Sequence, residues 1–287
     1  MVKRKTRSRR MYIIAFCFLA YLVFCQSCMT MRMGRAKAAG FFSTAGVKYV
    51  DSTVIVENHP LHYIQTGDCG KPTLFFIHGS PGSWDAYKQY LTDTLLLEKF
   101  RMIAVDRPGF GYSSFGTAEG LAVQARLLAG LIKKLDNHTP VVLIGHSLGG
   151  PIAVKMAVNE PLSYQHLILL AAAVDPGAEK PEKWRYIIKQ KPLRYLIPGA
   201  LRPSNDELWL LKQELIDMQP QLKDLTAGVT IIHGTKDGLV PYRNVPFMKK
   251  EFINAKNVKV ISIKDANHFI PWEHYGEIRD ALLTLQL

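Results

Sequence analysis

Cysteine is scarce in this sequence: there are four in 287 residues, and Cys17, Cys25 and Cys28 lie in or just after one apolar N-terminal run, leaving only Cys69 beyond it. That distribution excludes a disulfide framework for the body of the chain. No Cys/His grouping has the spacing of a structural zinc site, so no metal is expected. Internal repeats and low-complexity tracts are also missing. Acidic residues are few against basic ones, 24 to 36, which gives a formal charge of +12. Half of that excess, however, is Lys3, Arg4, Lys5, Arg7, Arg9 and Arg10, all ahead of the apolar run. The remainder is only modestly basic and carries no zinc knuckle, aromatic-basic platform or helix-turn-helix pattern, so no nucleic-acid partner is expected. A composition 48% hydrophobic and 21% charged is that of a globular chain with one main domain.

The basic residues 1–10 followed by the apolar Met11 to Cys25 have the layout of an export signal. The run is shorter than the ~20 residues of an ordinary spanning helix, so a transmembrane reading must recruit Gln26 to Met33. Its end, Phe24-Cys25-Gln26-Ser27-Cys28, resembles a bacterial lipoprotein signal, which makes Cys28, preceded by the small Ser27, the lipidation candidate. Cys25 at the third position before it departs from the Leu usual there. The alternatives are a single uncleaved N-terminal helix and an ordinary cleaved signal, and attachment to a membrane of the cell envelope is the expectation.

From Val47 onward, short apolar runs alternate with helical patterns, which predicts an α/β fold with a mostly parallel sheet covered on both faces. The runs are Val47 to Val56, Leu61 to Gln65, 73–77, 102–105, 141–144, 167–170, 229–232 and 258–263, and the first two suit an antiparallel edge hairpin. Helical stretches are expected near Trp84–Leu97, Ala118–Leu135, Leu148–Val158, Tyr242–Phe252 and Trp272–Leu285. The stretch from Pro176 to Leu225 breaks the rhythm with six prolines and reads as a small, mainly helical lid. The chain thus divides into a signal or anchor at 1–27, a linker at 28–46, a core at 47–175 and 226–287, and a lid at 176–225. The lid is basic in its first part, through Lys180, Lys183, Arg185, Lys189, Lys191, Arg194 and Arg202. Such a run is usually a solvated face, and its sharper reading is a surface that leans on anionic lipid or steers acidic substrates.

One strand, Val141 to Ile144, runs into Gly145-His146-Ser147-Leu148-Gly149-Gly150 and then a helical pattern. This G-x-S-x-G between strand and helix is the pattern of a nucleophile elbow. The serine occupies a strained turn, so residues two positions to either side must lack side chains where strand and helix nearly touch. The following helix aims free N–H groups toward the place where an oxyanion would form.

His78-Gly79-Ser80-Pro81-Gly82 resembles the HGxP oxyanion turn of the α/β-hydrolase superfamily, and Asp106-Arg107-Pro108-Gly109-Phe110-Gly111-Tyr112-Ser113 its DRxGxGxS loop. The resemblance covers Val47 to the end and implies the α/β-hydrolase fold, with an eight-stranded, mostly parallel sheet. It also implies an oxyanion hole made by the backbone N–H groups of Ser80 and Leu148. His78 then orients the oxyanion loop, while Asp106 and Arg107 tie loops together and do not touch substrate. His146 points elsewhere on the elbow.

A serine nucleophile needs a histidine to take its proton and a carboxylate to hold that histidine. Chain order in this fold is serine, acid, histidine. Gly234-Thr235-Lys236-Asp237-Gly238-Leu239-Val240-Pro241 resembles the family's acid loop and Asp265-Ala266-Asn267-His268 its histidine loop, with Asp265 where a glycine is usual. The triad read this way is Ser147, Asp237 and His268. Asp175, after the preceding strand, is the rival acid; Asp265 lies too near His268, His274 reads as surface, and His233 as structural. A serine at the elbow argues against haloalkane dehalogenases and epoxide hydrolases, which use aspartate there. The activity implied is hydrolysis of a small-molecule ester or amide without a cofactor. Carboxylic ester cleavage is the default, with peptidase activity of the proline-iminopeptidase type, thioester or C–C hydrolysis as alternatives, and a receptor-like module with negligible turnover as the reading of another class.

Overall fold

A computed structural model describes residues 2–180 and 182–287, with side chains from Arg9 onward. Lys3, Arg4, Lys5 and Arg7 of the basic leader therefore lie outside the described side chains. The apolar run is one helix, α1 (Val2–Ser27), whose residues 9–27 have a mean hydropathy of 1.6 and are nearly all exposed. Nineteen helical residues rise about 28 Å, close to the hydrocarbon thickness of a bilayer. By length and composition this helix can cross a membrane.

The stretch read as a linker contains a helix, α2 (Arg35–Ala45), which ends on Gly46 in a left-handed conformation. Phe42 on α2 is fully buried, stacked on Tyr49 and Trp84. Apolar surface removed from water at that one ring holds α2 to the core by roughly 2 kcal/mol.

Eight strands follow: β1 (Tyr49–Val56), β2 (His59–Thr66), β3 (Thr73–Ile77), β4 (Arg101–Val105), β5 (Val141–His146), β6 (His166–Leu170), β7 (Gly228–Gly234) and β8 (Val258–Ile263). Their order in one sheet is β1-β2-β4-β3-β5-β6-β7-β8. β2 pairs antiparallel with both β1 and β4, and the other neighbours run parallel. Every residue of β3, β4, β5 and β7 is buried, as continuous apolar runs predict for central strands. β8 departs from that expectation: as an edge strand it leaves Lys259 and Ser262 in solvent.

The expected helix at Trp84–Leu97 is broken into a 3-10 turn at Trp84–Tyr87, α3 (Lys88–Leu91) and α4 (Thr94–Lys99). Asp93 restarts the helix by accepting the Leu96 N–H, so a capping residue inside the apolar run makes a boundary. Then come α5 (Leu121–Lys134) and α6 (Gly149–Asn159); the lid helices α7 (Lys183–Lys189) and α8 (Leu201–Met218); and α9 (Asn244–Glu251), α10 (Ile270–Glu273) and α11 (Tyr275–Leu283). Alternate strand residues feed two cores. Phe75, Ile77 and Leu143 pack with α5, α6, α8 and α9, whereas Leu74, Phe76 and Ile144 pack with α2 and the helices at both ends of the other face.

Helix α1 touches the helical segment between β6 and β7. The Tyr21 hydroxyl donates to Leu196 O, the Gln26 amide to Tyr195 O, and the Cys25 carbonyl accepts from Gly199 N–H and Arg202. Part of the lid's basic run is used internally: Arg194 pairs with Asp206, Arg185 with Glu182, and Arg202 is buried. Lys180, Lys183 and Lys191 remain exposed, beside the exposed Trp184, Tyr186 and Tyr195.

Candidate active site

The C-terminal edge of the parallel strands gathers the predicted residues. Ser147 follows β5 directly and sits at φ +53°, a left-handed conformation that costs a side-chain-bearing residue on the order of 1 kcal/mol. The steric argument for its flanking glycines holds. A Cβ on Gly145 would run into the Gly149 carbonyl, and one on Gly149 into the carbonyl of Ile77 on the neighbouring strand.

Asp237 follows β7 and His268 follows β8. Their side chains meet in a 2.7 Å bond from His268 Nδ1 to Asp237 Oδ2, with both residues buried. The other carboxylate oxygen accepts N–H bonds from Leu239 and Val240. Burial opposes the charge on Asp237, but the His268 bond and those two N–H groups outweigh it and hold the carboxyl below its ordinary range. With Nδ1 committed to Asp237, His268 has Nε2 for substrate chemistry. Ser147 Oγ and His268 form no hydrogen bond here, a contact that commonly tightens only with substrate. The two are nevertheless joined through the adjacent residue, because His146 Nε2 lies 3.1 Å from the His268 carbonyl oxygen.

The turn after β3 abuts the elbow: a Cβ on Gly79 would sit 3.0 Å from Ser147 Cβ. Among the described residues, neither Ser80 N–H nor Leu148 N–H donates to a protein group. A strained serine, a carboxylate-held histidine and two free N–H groups at one edge are the parts that acyl transfer requires.

Comparison with known proteins bears on the fold and the family. Residues 72–196 match the family model described as alpha/beta hydrolase fold. The pimeloyl-(acyl-carrier protein) methyl ester esterase of Vibrio campbellii is 35% identical over 209 residues, covering 60% of this chain and 79% of that protein. The chain belongs to the α/β-hydrolase superfamily. The uncharacterized hydrolase YugF of Bacillus subtilis is 25% identical over 254 residues, 76% of this hydrolase and 91% of its relative. Matches to animal epoxide hydrolases and plant 1-acylglycerol-3-phosphate O-acyltransferases span less than half the length of those proteins. Among solved structures, a membrane phospholipase A described as a bacterial virulence factor shares the fold, with a TM-score of 0.64 and 20% identity over 98% of this chain and all of that one.

The rival groups of the hydrolase are otherwise occupied. Asp175 accepts from Arg243 and from Gly177 N–H. Asp265 is exposed, pairs with Lys236, and takes φ +60°, the conformation that explains why glycine is usual there. His274 is held by Glu277 at the surface. His233 lies 2.9 Å from the Val240 carbonyl, and burial lowers its pKa. His146 is driven down to about 3, first by burial and then by His268, so it stays neutral. A hollow of about 560 Å³ lined by Ile216, Pro220, Lys223, Lys250 and Ile253 includes none of the site residues.

Two features had no signal in the sequence. One is Glu207 on α8, which reaches Arg107 beneath the turn after β3. The other is His62, fully buried between Asp106 at 2.8 Å and Asp51 at 3.0 Å. Asp106 also accepts from Trp84 N–H and Tyr112 N–H, so it knots β2, the turn after β3 and the DRxGxGxS loop together. Burial works against protonation of His62, but Asp106 and then Asp51 outweigh it and raise its pKa. A raised folded value means that the bridge stabilises fully below the unfolded histidine pKa of about 6.5 and is lost as pH rises through the folded one. His62→Gln is therefore expected to lower Tm most near pH 6, by the equivalent of roughly 3 kcal/mol for a broken buried pair. The gap to the unmodified protein should narrow toward pH 9 in thermal melts, and a gap independent of pH would show that the ring is neutral.

Proposed function

We propose that this chain is a membrane-tethered serine hydrolase that cleaves carboxylic esters through an acyl-enzyme on Ser147, with His268 as base and Asp237 as its orienting acid. The observation that carries this reading is the Asp237–His268 bond at the strand edge that also bears the strained Ser147. In the mechanism, His268 Nε2 takes the serine proton as Oγ attacks the ester carbonyl. Ser80 N–H and Leu148 N–H receive the developing oxyanion, a pair in which each donor lowers the barrier by about 3 kcal/mol. The imidazolium then protonates the leaving alcohol, and water repeats the sequence to release the acid. The Vibrio relative, a methyl ester esterase, favours an ester over an amide or a C–C bond. Labelling by a fluorophosphonate probe together with turnover of p-nitrophenyl esters tests the proposal, and a protein that binds such esters without releasing product would be the receptor-like module instead.

For the tether, the contacts favour a retained helix over a lipidated Cys28. Cleavage before Cys28 would remove Tyr21, Cys25 and Gln26, and with them the partners of Leu196, Tyr195, Gly199 and Arg202. Intact-mass measurement of the native membrane-bound protein is expected to find α1 present and Cys28 unmodified. A chain starting at an acylated Cys28 would overturn this.

A further inference from the structure

We infer that the lid helix α8 aims the oxyanion-hole donor: Glu207 through Arg107, and Ser204 through Ser80, hold the Gly79–Ser80 peptide in its working orientation. The inference rests on the serine-hydrolase reading above.

Arg107 is fully buried, and its guanidinium spans the gap between lid and core. Nη1 lies 2.8 Å from Glu207 Oε2 and 2.7 Å from Gln124 Oε1; Nη2 lies 2.9 Å from Glu207 Oε1 and 2.9 Å from the Gly79 carbonyl oxygen. A fork this rigid fixes direction as well as distance. The same carbonyl accepts from His78 Nδ1 at 2.7 Å, while His78 Nε2 accepts the Arg107 backbone N–H. Those two bonds demand the neutral Nδ1–H form of His78, in keeping with a pKa pushed well down by burial and by Arg107. Both lone pairs of the Gly79 oxygen are thus engaged.

A peptide unit is planar, and in its trans form the N–H points opposite to the C=O. Pinning the Gly79 carbonyl therefore pins the Ser80 N–H, which has no protein partner among the described residues and belongs to the turn pressed against Ser147. A guanidinium on the carbonyl also polarises the peptide and strengthens its N–H as a donor. From the other side, Ser80 Oγ donates to Ser204 Oγ at 2.9 Å. Ser204 and Glu207 are three residues apart and share one face of α8, so a single lid face grips the turn twice. Glu207 is 2% exposed, and its oxygens are spent on Arg107 and Gln124. A buried pair of this kind adds little net stability over apolar packing. Its yield here is the direction of one N–H bond, which makes Arg107, Glu207 and Ser204 positioning residues and ties lid placement to turnover.

The test uses the full-length protein in detergent, a small neutral ester, and active sites counted by exhaustive fluorophosphonate labelling. Glu207→Gln keeps the shape but removes the charge, and is expected to lower kcat per active site by about 10-fold to 100-fold with KM changed less than about 2-fold. Affinity for a tetrahedral mimic, an aryl boronic acid, should fall by the same factor, because both quantities read the oxyanion donor. Ser204→Ala, which cannot strand a buried charge, should show the same signature at a few-fold and decides the matter if Glu207→Gln does not fold. Wild-type kcat per site in a folded variant, or a fall in kcat without a matching loss of boronic-acid affinity, would overturn the inference. If the unmodified protein takes no label on Ser147, the fault lies with the serine-hydrolase reading instead.

Discussion

Ser147→Ala is expected to lower kcat for p-nitrophenyl esters by roughly 10⁶, with fluorophosphonate labelling abolished and Tm nearly unchanged. The size follows from the role: without Oγ there is no acyl-enzyme, and His268 has no hydroxyl to activate. A residue of about 10³ over the reaction in water can persist through the two N–H donors, which the substitution leaves in place. Folding should survive because Ser147 is only partly buried, and alanine at φ +53° bears the same backbone strain as serine. The measurement is turnover of a preparation free of contaminating esterases, together with a thermal melt. Full activity in that preparation would remove Ser147 from the mechanism.

Asp237→Asn should cost about 10⁴ in kcat at nearly constant KM. Asparagine can keep its oxygen on the N–H groups of Leu239 and Val240, which fixes its amide nitrogen toward His268 Nδ1. An amide N–H there needs an acceptor, so the proton of the ring moves to Nε2, where a base must be free to receive one. Asp175→Asn is the control, because Asp175 is spent on Arg243 and Gly177 and should lose less than about 10-fold. If Asp175→Asn is the more damaging of the two, Asp175 is the acid.

The candidate site rests on groups that local chemistry makes readable along the chain. The elbow could be read because its geometry forces glycine at two positions in a span of five, a constraint visible in one stretch of chain. The loops holding Asp237 and His268 followed from chain order and from their places after apolar runs. Elements were less legible where a single side chain decides a boundary, as Asp93 does inside 84–97, or where burial of one ring makes a helix of 35–45.

The sequence alone determined the succession of apolar strands and helical stretches along the chain and the residue types that chemistry needs, because each is a property of neighbours along the chain. Only the tertiary structure decided which groups meet. Ser147, Asp237 and His268 come from β5, β7 and β8, and the partner of Arg107 comes from a lid helix 100 residues away. Glu207 and Ser204 belong to no motif, since their meaning lies in a contact across the mouth of the site. The same holds for His62, which reads as an ordinary strand residue until packing surrounds it with Asp51 and Asp106 and removes water. Long-range proximity and loss of solvent are what turn such side chains from surface chemistry into positioned, charge-shifted groups, and neither is written in local sequence.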